Sequence, residues 1–377
     1  MSKPYKRSDG MWAQAIELPP KADGKRRRKV VYAAKKPDLA AKVRAVLQEK
    51  ARMGDMTTNS PTVARWLETW IREIVVPHKR PRTIENYKHM VTLITPPIGK
   101  VKLDKLTASH VRRVHQYVQS ERGLSNSTAR NAHAVLRKAL SDAEAEGLVN
   151  RNVAKLVEAP PLPRGDVPIL TAEEALTLLR SVAHDERAAI RWSLALMMGL
   201  RRGEALGLRA DHVDLAESTI TIEWQLQRPE TPPRKDERFI DLGDGYYLTE
   251  VKTEAGVRVL PMTAQLHEMM RRYLPTLPGP DALVCGPGIV SERSDYEAWK
   301  RALREAGLPS VKPHSARHTT LTLLARLGAP DHVRTAIAGH ASKRVTAIYT
   351  HAAKDEVREW MGRLDDAMQI EGRTSAS

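Results

Sequence analysis

The stretch Gly339-His340-Ala341-Ser342, followed by Thr346-Ala347-Ile348-Tyr349-Thr350-His351, decides how this chain is interpreted. It is a short polar run that carries one tyrosine shortly after a histidine. A tyrosine at the edge of an apolar helix more often packs against a core, with its hydroxyl on water or a carbonyl. The stretch therefore has to be judged together with the motifs that precede it.

Three polar motifs precede this stretch in a fixed order. They are Gly199-Leu200-Arg201-Arg202-Gly203-Glu204-Ala205-Leu206-Gly207-Leu208, Thr249-Glu250-Val251-Lys252-Thr253 and His314-Ser315-Ala316-Arg317-His318. With His340 and Tyr349 they resemble the ordered signature of tyrosine recombinases of the phage integrase type. The resemblance covers about the last 210 residues in its motifs. The Lys252 motif continues into Arg258-Val259-Leu260-Pro261, which also matches the family pattern.

The resemblance implies a DNA strand transferase that works through a 3'-phosphotyrosine intermediate, without a metal or another cofactor. The catalytic residues that it implies are Arg201, Lys252, His314, Arg317, His340 and the nucleophile Tyr349. Glu204 and His318 are implied as supporting residues, and Arg202 is interpreted as a solvated neighbour.

These residue types suit phosphodiester transfer. A guanidinium fork, as at Arg201 and Arg317, donates two hydrogen bonds to a phosphate and stays charged. Lys252 is predicted in the turn between strands Ser218–Trp224 and Val257–Leu260, where an ammonium can protonate a departing 5' oxygen. The Tyr349 phenolic oxygen can then attack phosphorus.

A metal site is the alternative for His314 and His318, because histidines four apart on a helix can bind zinc. The metalloprotease pattern requires Glu at the position of Ser315, and Arg317 would place a fixed cation beside the metal. We therefore predict no metal.

Composition predicts a soluble, globular protein that stays in the cytoplasm, and the resemblance implies a bacterial host cell and association with its nucleoid. The chain is 41% hydrophobic and 28% charged, and no apolar run approaches the ~18 residues of a membrane span. Its single cysteine, Cys285, excludes an internal disulfide.

Positive charge is concentrated at one end of the chain. Residues 1–165 contain 33 Lys and Arg against 15 Asp and Glu, whereas residues 166–377 contain 28 against 30. Such segregation is the expected footprint of a phosphate backbone partner. The charge therefore predicts a nucleic acid rather than a membrane, and the resemblance implies double-stranded DNA at attachment sites.

The fold class is multidomain α+β. Residues 1–55 are predicted as a small β-sheet domain, with strands Met11–Leu18 and Arg28–Ala33 and a helix from Asp38 to Leu47, similar to arm-type DNA-binding domains. Residues 61–158 are predicted as a helical core-binding, SAM-like domain, and 159–168 as a proline-rich linker. The mainly α catalytic domain, with a small sheet, takes 169–377.

Within the helical domain, Trp66 and Trp70 are predicted to lie in the core. A helix from Thr83 to about Leu93 is predicted to break at Pro96-Pro97. Candidate DNA contacts lie in the basic N-terminal turn and at two helix starts. They are Arg26, Arg27, Arg28, Lys29, Arg82, Thr83, Asn86, Tyr87, Lys88, Asn126, Ser127, Arg130 and Asn131.

The sequence leaves the role of one segment and the packing of another undecided. Residues 227–247 are predicted to lengthen the preceding hairpin, with no assigned role. The C-terminal tail, with Val357, Trp360 and Leu364 at helical spacing, packs either on its own domain or, the slightly favoured alternative, on a neighbouring protomer.

The resemblance implies a tetramer on DNA and an accessory DNA-bending or directionality protein as a further partner. A type IB topoisomerase and a catalytically silent DNA-binding regulator with the same fold remain the alternatives. Relaxation of plasmid DNA without an attachment site would favour the first, and failure to form a covalent adduct would favour the second.

Overall fold

The computed structural model describes residues 4–18, 27–53, 60–162, 168–234, 236–251, 256–286, 288–339 and 351–368. The chain divides into two compact units, Met1–Arg164 and Gly165–Ser377. Unit 1 contains two separate hydrophobic cores, and unit 2 contains one large core. No helix in the described part of the chain is long and apolar enough to span a membrane.

Unit 1 opens with a three-stranded antiparallel sheet, in the order β1-β2-β3. The strands are β1 Tyr5–Lys6, β2 Trp12–Leu18 and β3 Arg27–Ala33, and helix α1 Lys36–Met53 follows them. Ile16 and Val31 from the sheet and Leu39 and Val43 from α1 form a small core. The helix starts two residues before the predicted Asp38, which lies inside the first turn, where an acidic side chain also favours the helix.

Four longer α-helices build the rest of unit 1. They are α2 Val63–Trp70, α3 Pro81–Ile98, α4 Ala108–Gln116 and α5 Asn126–Ala145, with single π turns at Ile71–Val75 and Tyr117–Glu121. Trp66 and Trp70 are buried, as predicted. Their indole N–H groups donate to the Ala139 carbonyl and to Asp142 Oδ2, at 3.0 and 2.8 Å, so neither buried donor is unsatisfied.

The predicted break at Pro96-Pro97 is wrong, because α3 continues through both prolines to Ile98. A proline φ near −65° is compatible with a helix, and its cost is a lost N–H and crowding of the preceding turn. Both prolines lie in the last turn, and the Gly99 N–H still bonds the Thr95 carbonyl at 2.7 Å. The helix therefore ends only after the apolar side chains of Leu93, Ile94 and Ile98 are buried.

Unit 2 is mainly helical and carries two small antiparallel sheets. Its first helix begins after Thr171, which forms a reciprocal capping box with Glu174. The helices are α6 Ala172–Ser181, α7 Glu186–Leu196, α8 Arg202–Leu206, α9 Ala264–Tyr273, α10 Glu292–Glu305, α11 Pro313–Arg326, α12 Asp331–Ala338 and α13 His351–Ala367.

The first sheet of unit 2 has the order β4-β5-β9, and the second has the order β6-β8-β7. The strands are β4 Val213–Asp214, β5 Thr219–Ile222, β6 Trp224–Gln227, β7 Phe239–Gly243, β8 Tyr246–Glu250 and β9 Arg258–Pro261. Residues 227–247 thus do more than lengthen a hairpin, because they supply strands to a sheet of their own. Gly207 lets α8 pack directly on β6, since a Cβ there would lie 2.7 Å from the Leu226 nitrogen.

Helix α13 packs on its own domain. Val357, Met361, Leu364 and Met368 are buried in the core of unit 2. Asp365 Oδ2 accepts a hydrogen bond from the Ala264 N–H, 3.1 Å away at the start of α9. The structure of the single chain therefore has the tail docked in cis, and exchange with a neighbouring protomer stays a prediction.

Candidate active site

Arg201 lies directly after a sharp turn at the end of α7. Gly199 has a φ of +62°, a conformation that glycine adopts without strain. The Thr320 hydroxyl, from α11, donates to the Leu196 carbonyl at 2.8 Å and so satisfies the end of α7. Arg201 is then the N-cap of α8, and its side chain is 37% exposed. The turn thus presents this guanidinium at the edge of the core.

Glu204 is the buried anion behind Arg201. Its Oε1 accepts from Arg201 Nη1 at 2.6 Å, and its Oε2 accepts from the Arg201 backbone N–H at 3.0 Å. Arg258, on β9, donates to the same carboxylate from Nη2 at 2.8 Å and from Nη1 at 3.3 Å. Burial alone would raise the pKa of Glu204, but the charges and hydrogen bonds of Arg258 and Arg201 outweigh it and hold the pKa at about 2.

Arg317 lies on α11 and is buried, with 3% of the residue exposed. Its Nη1 donates to the Gly199 carbonyl at 2.7 Å, and its Nη2 donates to the Ala338 carbonyl. Burial, followed by the nearby Arg201 charge, lowers the pKa of Arg317 to about 9. The guanidinium is therefore still charged at pH 7, but its charged form is less stable here than in water.

Three arginines meet at the carboxyl end of α12. Arg258 Nε donates to the Ile337 carbonyl at 3.1 Å, Arg317 to the Ala338 carbonyl and Arg201 Nη2 to the Gly339 carbonyl at 3.3 Å. Gly339 ends the helix with a left-handed φ of +57°. The last carbonyls of a helix accept no hydrogen bond from within it, and those at the end of α12 accept from arginines of three different elements instead.

His314 and His318 lie one turn apart on α11, with ring centroids 4.9 Å apart and ring planes at 90°. The His314 residue as a whole is exposed, although part of its ring is shielded from water. Partial burial of its ring, followed by the neighbouring His318 and Arg317, lowers its pKa below the usual 6.5. The His314 imidazole is therefore neutral at pH 7. Among the described residues, no three His, Cys, Asp or Glu side chains come close enough together to hold a metal ion.

The structure brings four of the residues singled out above into one cluster, which comprises Arg201, Glu204, His314 and Arg317. His318 adjoins it. Lys252, His340 and Tyr349 lie outside the described residues, between β8 and β9 in sequence for Lys252 and between α12 and α13 for the other two. Their roles stay predictions.

The candidate DNA contacts are spread over unit 1. Lys29, Asn86, Lys88, Ser127 and Asn131 are exposed and Thr83 is partly exposed, whereas Arg26 lies outside the described residues; for Arg27 and Arg28 only the backbone, in β3, is described. The rest are engaged within the protein.

Four candidates already have partners in unit 1. Arg82 pairs with Glu85 at 3.1 Å, Asn126 Oδ1 accepts from Gln119 Nε2 at 2.8 Å, and Arg130 Nη1 donates to the Pro160 carbonyl at 3.0 Å. Tyr87 stacks on Trp70 with ring centroids 5.4 Å apart. Arg82 and Arg130 are exposed beside these contacts, and a DNA contact by any of the four stays a prediction.

Arg258 binds the Glu204 carboxylate of this cluster, and sequence analysis assigned it no role. Its signal is the alternation of β9, in which Val259 is exposed and Arg258 and Leu260 are buried. A charged residue at an inward position of a strand needs a buried counter-charge. Glu204 is that partner.

Comparison with known proteins gives the family. Residues 168–356 match the Phage integrase family, and residues 62–119 match the Phage integrase, N-terminal SAM-like domain. An integrase of Saccharopolyspora erythraea is 26% identical over 94% of this chain and 93% of its own length. A tyrosine recombinase XerC-like protein of Caldanaerobacter subterraneus is 22% identical over 91% of this chain and 93% of its own.

Solved structures give the fold. The Tn1549 transposon integrase in complex with a circular intermediate DNA aligns with a TM-score of 0.62 and 22% identity, over 81% of this chain and 100% of that one. A lambda integrase tetramer bound to a Holliday junction aligns with a TM-score of 0.55 and 16% identity, over 90% and 95%. The general helix-rich architecture with small sheets is therefore shared.

The fold and the matched region together define a class, the DNA strand transferases of the tyrosine recombinase type. The chain belongs to the phage integrase family. It is a tyrosine-type, site-specific DNA recombinase of the kind that mobile elements use for integration.

Proposed function

We propose that Tyr349 is the nucleophile of this recombinase and that Arg201, Lys252, His314, Arg317 and His340 surround the scissile phosphate. The Tyr349 oxygen forms a bond to phosphorus, and the bond from phosphorus to the 5' oxygen breaks. His314 accepts the tyrosine proton and Lys252 protonates the departing 5' oxygen, so the energy of the phosphodiester is kept in the 3'-phosphotyrosine.

One observation carries this proposal, namely the convergence of Arg201 and Arg317 on adjacent carbonyls at the end of α12, those of Gly339 and Ala338, beside the buried Glu204 carboxylate that binds Arg201. Three guanidiniums and one carboxylate give the Arg201, Glu204, Arg258 and Arg317 group a net charge of +2. A phosphodiester carries one negative charge, and a five-coordinate phosphorus intermediate carries two. Fixed positive charge of this size favours the transition state over the ground state.

The histidines support the proton transfers. A neutral His314 can accept a proton, and its lowered pKa keeps it neutral in the physiological range. After burial and the neighbouring His318, the groups that lower this pKa are Arg317 and Arg201, which would also bind the phosphate. The nucleophile and its proton acceptor would therefore be available together at pH 7.

We further propose the domain roles and partners. Residues 1–55 bind arm-type DNA, 61–158 bind core DNA, 159–168 link the two halves, and 169–377 perform catalysis. The separate hydrophobic cores of unit 1 and the concentration of basic residues before position 165 support this division. Four protomers on paired attachment sites, with an accessory DNA-bending or directionality protein, follow from four-strand exchange in the bacterial cytoplasm.

The test uses a nicked suicide DNA with a candidate attachment core, without metal or ATP, and a denaturing gel. Native protein should give a covalent band, and Tyr349→Phe should give none. Tyr296→Phe is the matched control, because Tyr296 is a 40% exposed tyrosine of the same unit. It should cleave like the native protein.

Each departure from this result has a meaning. A band with Tyr349→Phe would show that another residue is the nucleophile. Binding by the native protein with no band would favour a silent regulator. Relaxation of supercoiled plasmid lacking any attachment site would favour topoisomerase-like activity.

A further inference from the structure

Arg258 occupies an unusual position for a charged residue. It is the first residue of β9, and only 1% of its side chain is exposed. An isolated buried guanidinium would be strongly destabilising, so its partners must be accounted for. The described contacts go to one carboxylate and two backbone carbonyls, each in a different segment of unit 2.

The first partner is Glu204, which Arg258 contacts from Nη2 and Nη1. Glu204 also binds Arg201, so its carboxylate is shared by two cations. With Arg258 in place, both oxygens of Glu204 are held from the interior side. Arg201 therefore meets an anion of fixed position and reduced net charge, which leaves its guanidinium available to a phosphate.

The second partner is the Gly256 carbonyl, 2.9 Å from Arg258 Nη1. Gly256 follows the segment 252–255, which contains Lys252, in sequence. The third partner is the Ile337 carbonyl, 3.1 Å from Arg258 Nε and three residues before His340. One side chain thus binds the α8 carboxylate and two backbone positions that border predicted catalytic segments.

We propose that Arg258 is a positioning residue for strand transfer. It fixes Arg201 through Glu204 and anchors the chain beside the Lys252 segment and at the end of α12. This inference rests on the catalytic assignment proposed above. Because Arg258 is enclosed by protein, it acts through these groups and not by touching the phosphate.

The test compares two buried arginines in the same domain. Arg258→Lys keeps the charge but loses the planar fork that reaches several acceptors. Arg191→Lys is the matched control, because Arg191 makes an equally buried two-point contact with Asp295. Single-turnover cleavage of the suicide DNA, DNA binding and thermal unfolding are measured for both.

We expect both variants to unfold at lower temperature and to bind DNA like the native protein. Cleavage by Arg258→Lys should fall about 10- to 100-fold, the usual range for residues that orient a catalytic group. Cleavage by Arg191→Lys should stay within about twofold of the native rate. Equal cleavage rates for the two variants would overturn the inference.

A double-variant cycle gives a readout that general destabilisation would not produce. If Arg258 acts partly through Glu204, Arg258→Lys should cost less in a Glu204→Gln background than alone. Arg191→Lys should cost the same in both backgrounds. If Arg258→Lys also costs the same in both, the route through Glu204 is wrong.

Two further outcomes are separable. If Arg258→Lys does not fold, the double variant Glu204→Gln, Arg258→Gln is used in its place, because it removes both buried charges together. The same loss of cleavage is expected for it. If Tyr349→Phe forms the covalent adduct, the catalytic assignment fails. If Tyr349→Phe is inactive and Arg258→Lys cleaves like Arg191→Lys, only the positioning role fails.

Discussion

Two buried arginine–carboxylate contacts lie in the same domain, and they are built differently. In the Asp295 pair, Arg191 Nε and Nη2 donate to Asp295 Oδ1 and Oδ2 at 2.8 and 2.9 Å, and the side chains are 7% and 2% exposed. In the Glu204 cluster, which comprises Arg201, Glu204, Arg258 and Arg317, one carboxylate binds two of three neighbouring cations. Arg201 is also partly open to solvent.

This difference indicates that the Asp295 pair has a structural role and the Glu204 cluster a functional one. The Asp295 pair is neutral as a unit, and Arg191 also lies over the Trp192 ring at 4.6 Å, so it has no charge to offer a ligand. The Glu204 cluster has excess positive charge at a partly exposed edge. A buried ion pair is therefore weak evidence of a site, whereas uncompensated charge supported by a buried partner is stronger evidence.

The largest expected effect tests the structural half of this comparison. Asp295→Asn leaves Arg191 buried without a counter-charge and should lower the free energy of unfolding by about 3–5 kcal/mol. The cleavage rate per folded molecule should not change. Urea unfolding and single-turnover cleavage measure the two quantities, and a large loss of cleavage by the folded variant would break the comparison.

Next in size is Arg201→Lys, which tests the functional half. Lysine keeps the charge but cannot donate two parallel hydrogen bonds to a phosphate, so single-turnover cleavage should fall about 100-fold. Arg202→Lys is the neighbouring control, because Arg202 forms a partly exposed ion pair with Glu292 at 2.6 Å. Similar losses in both variants would contradict the assignment of Arg201.

The smallest expected effect is a pH shift. Protonation removes the lone pair of His314, so cleavage should fall as pH drops through the pKa of His314, which lies below 6.5. His318→Asn removes one cause of that lowering and should move the acid midpoint upward, toward 6.5. The pH profile of cleavage measures this midpoint, and Asp295→Asn should leave it in place. An unmoved midpoint in His318→Asn would assign the acid limb to another group.

The helices and the main residues of the candidate site could be predicted from the sequence, because both produce patterns between residues that are close in the chain. The spacing of Trp66 and Trp70 predicted a buried helix face, and both side chains are buried. Arg201 and Glu204 are one turn apart, which is enough to predict their contact.

Other features depended on tertiary context. The prolines at 96 and 97 are helix breakers by local rule, but they were overridden where the last turn of α3 buries its apolar face. The second sheet forms because β6 and β8 pair across an insertion, and no local pattern specifies that pairing. Likewise, two of the three partners of Arg258, Glu204 and Ile337, lie 54 and 79 residues away in sequence.

The end of α12 has a consequence for the protein before DNA arrives. Helix carbonyls that lack internal partners carry partial negative charge, and Arg201 and Arg317 each bind one of them. The helix terminus thus serves as an internal stand-in for the anion. A phosphodiester must displace a weak acceptor that is already bound. Nonspecific DNA therefore gains less binding free energy from these two arginines than it would from arginines without an acceptor. This exchange favours DNA sites at which other protein contacts hold the DNA backbone long enough for a phosphate to replace the helix carbonyls.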